Sequence, residues 1–186
     1  MSEVHIKATP VLGLAGYIKS TLSPAQQARL QAQLGPGEAR VMEGRLLASE
    51  TVPVDVSNRL TDLAARECGQ TPFEFGRAAG RVVAELGTRT VYKFILALLS
   101  PQSMLRTAPT MWSRVYDAGR LVAEAGDGRG RLTLLDFPGR HEGFCGRTTG
   151  WFEFIGEKAA RNMRVSHAAC RLRGDPECAW DFEWSR

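Results

Sequence analysis

A chain of 186 residues, 44% hydrophobic and 24% charged, is long enough for one proper core and short for two, with the composition of a globular protein. Its net charge of +4 and pI of about 9.1 rest mainly on arginine, since lysine occurs only at Lys7, Lys19, Lys93 and Lys158; the arginines are scattered rather than clustered, which argues against a nucleic-acid partner. The longest apolar run, Phe94 to Leu99, falls far short of the ~18 residues of a membrane span, and without a basic-plus-apolar leader the chain is expected in the cytoplasm, its four cysteines serving as metal ligands or free thiols.

Residues 1–10 read as an extended lead-in that stops at Pro10. Apolar residues at Val11, Leu14, Tyr17, Ile18 and Leu22 follow at helical spacing. Ser23-Pro24-Ala25-Gln26 is a helix start, with a serine cap, proline at the first position and glutamine three after the cap; that helix ends at Gly35-Pro36-Gly37. A weaker helix spans about 38–48, and Val52-Pro53-Val54 interrupts. Another helix starts at Asp55 or Ser57, and Thr71-Pro72-Phe73-Glu74 caps a long one running to Leu99. Ser100-Pro101 and Ala108-Pro109 predict two short helices. Near Gly119 the period changes: 120–125 and 130–137 read as strands around Gly126-Asp127-Gly128-Arg129, 142–160 as one helix, and 163–172 with 178–184 as a closing hairpin. The expected fold is α+β over a single domain 1–186, with a mainly helical part at 1–117 and a β-β-α-β-β part with an antiparallel sheet at 118–186.

Cys145, His167, Cys170 and Cys178 form a Cys-x21-His-x2-Cys-x7-Cys series, and thiolates with imidazole are what a tetrahedral zinc ion prefers. A hairpin centred on Gly174 sets Cys170 opposite Cys178. His167 is out of phase: three residues from Cys170, it points to the other face of a regular strand unless a bulge intervenes. Buried thiols beside a surface histidine are the plainer alternative. An enzymatic alternative pairs His141 with Cys145 at i,i+4, but no orienting carboxylate, oxyanion hole or dinucleotide fingerprint is identifiable.

The motifs Cys145-Gly-Arg-Thr-Thr-Gly150-Trp151 and Cys170-Arg-Leu-Arg-Gly174-Asp-Pro-Glu-Cys178-Ala-Trp180, closed by Trp184, resemble the 4-vinyl reductase domain of bacterial phenol-responsive activators, a relative of the TRAPP small subunits. The whole chain, through Trp112-Ser-Arg-Val-Tyr116-Asp117-Ala-Gly119 and Phe137-Pro-Gly-Arg-His141, also resembles a group of myxobacterial proteins of about this length. The resemblance implies a TRAPP-like mixed fold, homodimerisation and a hydrophobic pocket between sheet and helices. It also implies a structural zinc held by Cys145, Cys170 and Cys178, with His167 standing where the phenol sensors carry a glutamate. Candidate pocket residues are Phe94, Trp112, Tyr116, Phe137, His141 and Trp151, although aromatics at helical spacing more often belong to a core. The function expected is a non-enzymatic sensor or adaptor that takes an apolar molecule, a lipid tail or a partner protein and signals through dimerisation or that partner. A ligand-free structural subunit of a complex is the main alternative, and a Cys/His enzyme the lesser one.

Overall fold

Cap residues and prolines set where the helices of the first half begin. The computed structural model describes residues 3–88 and 100–185. Ser23 starts α2 (Pro24–Gln31): its Oγ accepts the Gln26 N–H at 3.4 Å while Gln26 Oε1 accepts the Ser23 N–H at 2.9 Å. Thr71 and Glu74 repeat the device at α5 (Pro72–Thr88), with the Thr71 N–H donating to Glu74 Oε2 at 3.0 Å. Before these come β1 (His5–Lys7) and α1 (Ala8–Thr21). The helix expected after Pro10 therefore starts two residues before it, because a proline in the first turn removes only an N–H that has no intrahelical partner.

α3 (Pro36–Met42), β2 (Thr51–Pro53) and α4 (Val54–Cys68) follow; β2 pairs antiparallel with β1, Ile6 facing Val52. The expected continuation of α5 to Leu99 lies outside the described residues, as does Phe94. Where two short helices were expected there is one, α6 (Pro101–Val115), with Pro109 inside it. The helix packs on the two strands that follow it, with Leu105 against Gly130 and Trp112 against Phe137 and Phe144, and that packing offsets the hydrogen bond the proline removes.

The second half is β3 (Arg120–Ala125), β4 (Arg129–Leu135), α7 (Glu142–Ala159), β5 (Arg164–Ala169), a 3-10 turn at Arg171–Arg173 and β6 (Cys178–Glu183). The four strands form one antiparallel sheet in the order β3-β4-β6-β5. Trp180 and Phe182 of β6 meet Phe152 of α7 at ring-centroid distances of 5.3 and 5.7 Å. The fold is α+β with antiparallel sheets. Among the described residues, no helix is long and apolar enough to cross a membrane.

The closest packing in the fold is α5 against α7. A Cβ placed on Gly150 would lie 1.9 Å from the Arg77 carbonyl oxygen, and one on Gly80 would lie 2.1 Å from that of Arg147; Gly76 and Gly146 are as tightly placed. Backbone meets backbone here with no side-chain layer between. Glu153 of α7, buried, adds ion pairs to Arg77 at 2.6 Å and Arg81 at 3.4 Å, and Arg81 reaches Glu157 at 2.7 Å. Gly150→Ala is expected to cost roughly 1–3 kcal/mol in urea unfolding, because the backbones must separate. Gly16→Ala on the exposed side of α1, where nothing lies within 4 Å, should instead gain about 0.5–1 kcal/mol; equal effects at the two sites would refute the zero-gap crossing.

Candidate functional site

The helices around α7 leave a cavity of about 140 Å³, walled by Val11 and Leu14 of α1, Val83 of α5, Met111 and Trp112 of α6, and Trp151 and Phe152 of α7. A void of ~150 Å³ lined by aliphatic and aromatic side chains is enough to hold benzene. The polar residues in this wall are Ser57, Tyr116, Arg147 and Thr148. Burial pushes the Tyr116 phenol up to about 12, so it is neutral at ordinary pH. Its ring stacks on Trp112 at 4.3 Å, and the backbone of Tyr116 bridges to Ile6 of β1, which fixes the end of α6.

Arg147 rises from α7 toward α4. Its Nη1 donates to the Ser57 carbonyl at 3.2 Å and to Thr61 Oγ1; its Nη2 donates to Ser57 Oγ at 3.0 Å and Asn58 Oδ1 at 2.8 Å. All four acceptors are neutral. Desolvation draws the guanidinium down to about 10, with Tyr116 and Asp62 opposing the shift, and it remains cationic at neutral pH. Asp62 is turned elsewhere: its Oδ2 bonds His141 Nε2 at 3.0 Å, while its Oδ1 is buried without a partner among the described residues.

The second feature lies at the start of α7. One ligand atom each from Cys145, His167, Cys170 and Cys178 lies within 4.8 Å of the others, and the three cysteines are buried. The phase problem at His167 is solved by a register shift between His167 and Ala169, where β5 pairs with β6. The His167 ring sits between Phe73 and Trp180, at centroid distances of 6.0 and 4.9 Å, and both its nitrogens are buried without a hydrogen-bond partner. Hydrogen bonding from the Cys145 thiol draws the Cys178 thiol down to about 4; the same contact and burial push Cys145 up. Three sulfurs and an imidazole at this spacing match the donor set of a tetrahedral soft ion.

The catalytic pair weighed from the sequence is not formed. His141 is the N-cap of α7: its Nδ1 accepts the Gly143 N–H at 3.0 Å and its Nε2 is held by Asp62, while Cys145 faces Cys170 at 3.8 Å. Of the candidate pocket residues, Trp112, Tyr116 and Trp151 line the cavity. Phe137 does not; it stacks on Phe144 at 4.6 Å beside the cavity, and His141 is spent on its cap. Arg147 was not singled out from the sequence. The available signal was an arginine set between Gly146 and Thr148-Thr149-Gly150, the small-residue stripe of a packed helix.

No family model and no curated protein matches the chain. Solved structures do. An H-NOX protein from S. oneidensis in the Fe(II)NO ligation state superposes with a TM-score of 0.75 at 11% identity, covering 97% of this chain and 100% of that one. A Cs H-NOX mutant carrying 4-cyano-L-phenylalanine gives 0.70 at 14% identity over 97% of each chain. A structure described under the modulation of haem redox potential by protein-induced porphyrin distortion gives 0.67 at 14%, covering 96% of this chain and all of that one. At these identities the likeness establishes the fold, which is that of the H-NOX proteins.

Two expectations are corrected by this result. The resemblance to the 4-vinyl reductase domain and TRAPP subunits is overturned, since the matching structures are H-NOX proteins. A helix followed by a cysteine-bearing hairpin is a local unit, and such units recur on unrelated folds. Structural zinc as the chain's cofactor falls with it: that expectation leaned on ligands carried over from the phenol sensors, whereas the matching folds are described with haem. What the geometry shows at Cys145, His167, Cys170 and Cys178 is a buried thiol and imidazole cluster that ties the start of α7 to the β5–β6 hairpin.

The residues present do not fit haem either. Haem iron takes an axial His, Cys, Met or Tyr. None of the three histidines or four cysteines of the chain lines the cavity: His5 bonds Asp117, His141 caps α7, His167 and three cysteines form the cluster, and Cys68 ends α4. Tyr116 holds its proton, which leaves Met111 as the remaining ligand type in the wall.

Thiol and phenol titrations check this site. Cys68, half-buried, should react with a disulfide reagent in the folded protein, while the three cluster thiols should react only on unfolding. In alkaline titration Tyr116 should ionise only near pH 12, above the ~10 of a free phenol. Because its folded pKa is raised, the stability it contributes is full below about pH 10 and falls as pH rises through about 12; Tyr116→Phe should flatten that fall.

Proposed function

We propose that the chain is a non-enzymatic small-molecule-binding sensor domain on the H-NOX fold, with the cavity between α1, α6 and α7 as its ligand site. The observation that carries this reading is the cavity itself: a void of about 140 Å³ with a largely apolar wall and one half-buried cation, framed by tryptophans on two different helices. Native interiors are packed with few spaces larger than a water molecule, so an apolar pocket of this size is a place for a ligand. The fold supports sensing because a matching H-NOX structure is described with nitric oxide on its iron. The engaged His141 and the raised Cys145 support a binding role over a catalytic one. Output through a second copy of the chain or a partner protein belongs to the same proposal.

The neighbours' haem gives the competing reading. Protein produced with a haem supply should show no Soret band above background, and toluene at near-saturating concentration should raise the thermal midpoint by several degrees. Stoichiometric haem with an intense Soret band would overturn the cavity reading.

A further inference from the structure

We infer that the cavity is a receptor for a small apolar monocarboxylate of benzoate type, its carboxylate held by Arg147 and the Tyr116 hydroxyl and its ring by the wall of Val11, Leu14, Met111 and Trp151. The inference deepens the cavity reading and rests on it. Arginine has five N–H groups; four are committed to Ser57, Thr61 and Asn58, and the fifth, on Nε, has no acceptor among the described residues. No carboxylate lies within ion-pair distance of it in the described part of the chain, and residues 89–99 contain no acid. Asp62, the acid that contributes to its electrostatics, is bound to His141.

A half-buried, largely desolvated cation that is hydrogen-bonded but not neutralised is expensive to maintain. Four neutral acceptors orient the guanidinium without cancelling its charge, and its own residue forms part of the cavity wall. Beside it stands a protonated phenol to which no described residue donates or accepts. A guanidinium and a phenol that both line the void, close enough for each to act on the other's charge state, offer the pair of N–H and O–H donors that a carboxylate takes. The remaining volume sets the size of the body: one ring or a short alkyl chain, as in the ~150 Å³ void that takes benzene. A neutral ligand of the same shape would leave the charge as it was, and a cationic one would add to it.

The test is a set of equilibrium titrations of the whole chain with benzoate, benzyl alcohol and toluene, followed by tryptophan fluorescence, since two of its four tryptophans line the cavity. Benzoate is expected to bind at least about tenfold more tightly than benzyl alcohol or toluene, the usual advantage of a charge-assisted hydrogen bond. Arg147→Met should erase that preference while toluene still binds. Tyr116→Phe, which keeps the ring and its stacking on Trp112, should weaken benzoate several-fold and leave toluene unchanged. Should Arg147→Met fail to fold for want of its anchor to α4, the wild-type series and Tyr116→Phe decide the matter. Equal affinity for benzoate and toluene, or a benzoate preference that survives in Arg147→Met, would overturn the carboxylate assignment and leave the cavity reading standing. Failure of all three compounds to bind would overturn both.

Discussion

The crossing of α5 and α7 is the constraint on which the rest of the molecule depends. Glycines at 76 and 80 on one helix and at 146 and 150 on the other let carbonyl oxygens approach where any side chain would collide. Once the two backbones touch, the rotation of α7 about its own axis is fixed, because turning either helix would drive a side chain into the other's backbone. The Glu153 carboxylate between Arg77 and Arg81 locks the register along the axis. Everything chemical in the chain is then placed by which face of α7 it occupies. Cys145 points to the hairpin, Arg147 to α4 and the cavity, and Phe152 to the sheet.

That placement puts two costly polar assemblies against the same helix. The guanidinium of Arg147 is held by Ser57, Asn58 and Thr61, a polar strip on the buried face of amphipathic α4, and so links α7 to the first half of the chain. The thiol cluster links α7 to β5 and β6. Buried polar groups are tolerated where they are satisfied and penalised where they are not. The Arg147 shell is complete except for charge neutrality and one N–H. At the cluster, the orphaned nitrogens of His167 mark the corresponding gap.

The sequence carried the element boundaries well wherever local chemistry decides them. Ser23, Thr71 and Ser100 are caps whose side chains do what their spacing implies, and alternation in 178–184 identifies β6. Where tertiary packing overrides local preference the reading failed: Pro109 sits inside a helix because the apolar face of α6 is held on the sheet. The closeness of Cys145, His167, Cys170 and Cys178 was legible from turn and strand spacing, and the shift after His167 was called for by its phase. The likeness of the whole fold was not. The motifs that stand out belong to a helix and hairpin of local design, whereas the H-NOX likeness resides in the arrangement of the whole chain at 10–14% identity. Arg147 escaped notice because burial of a charge depends on neighbours about ninety residues away in sequence, at Ser57 and Asn58.

The glycine contact also sets how stiff the molecule is between its two ends. A conventional helix interface is a cushion: interlocked side chains absorb a small displacement by changing rotamer, so that little of it reaches the far side. Between α5 and α7 that cushion is missing. A push on the cavity wall at Arg147 or Trp151 must move the axis of α7 as a whole, and α7 is clamped at its first turn to the hairpin that forms one edge of the sheet. The helix is therefore mounted without a cushion, and the residues beside its crossing face the cavity on one side and the hairpin on the other.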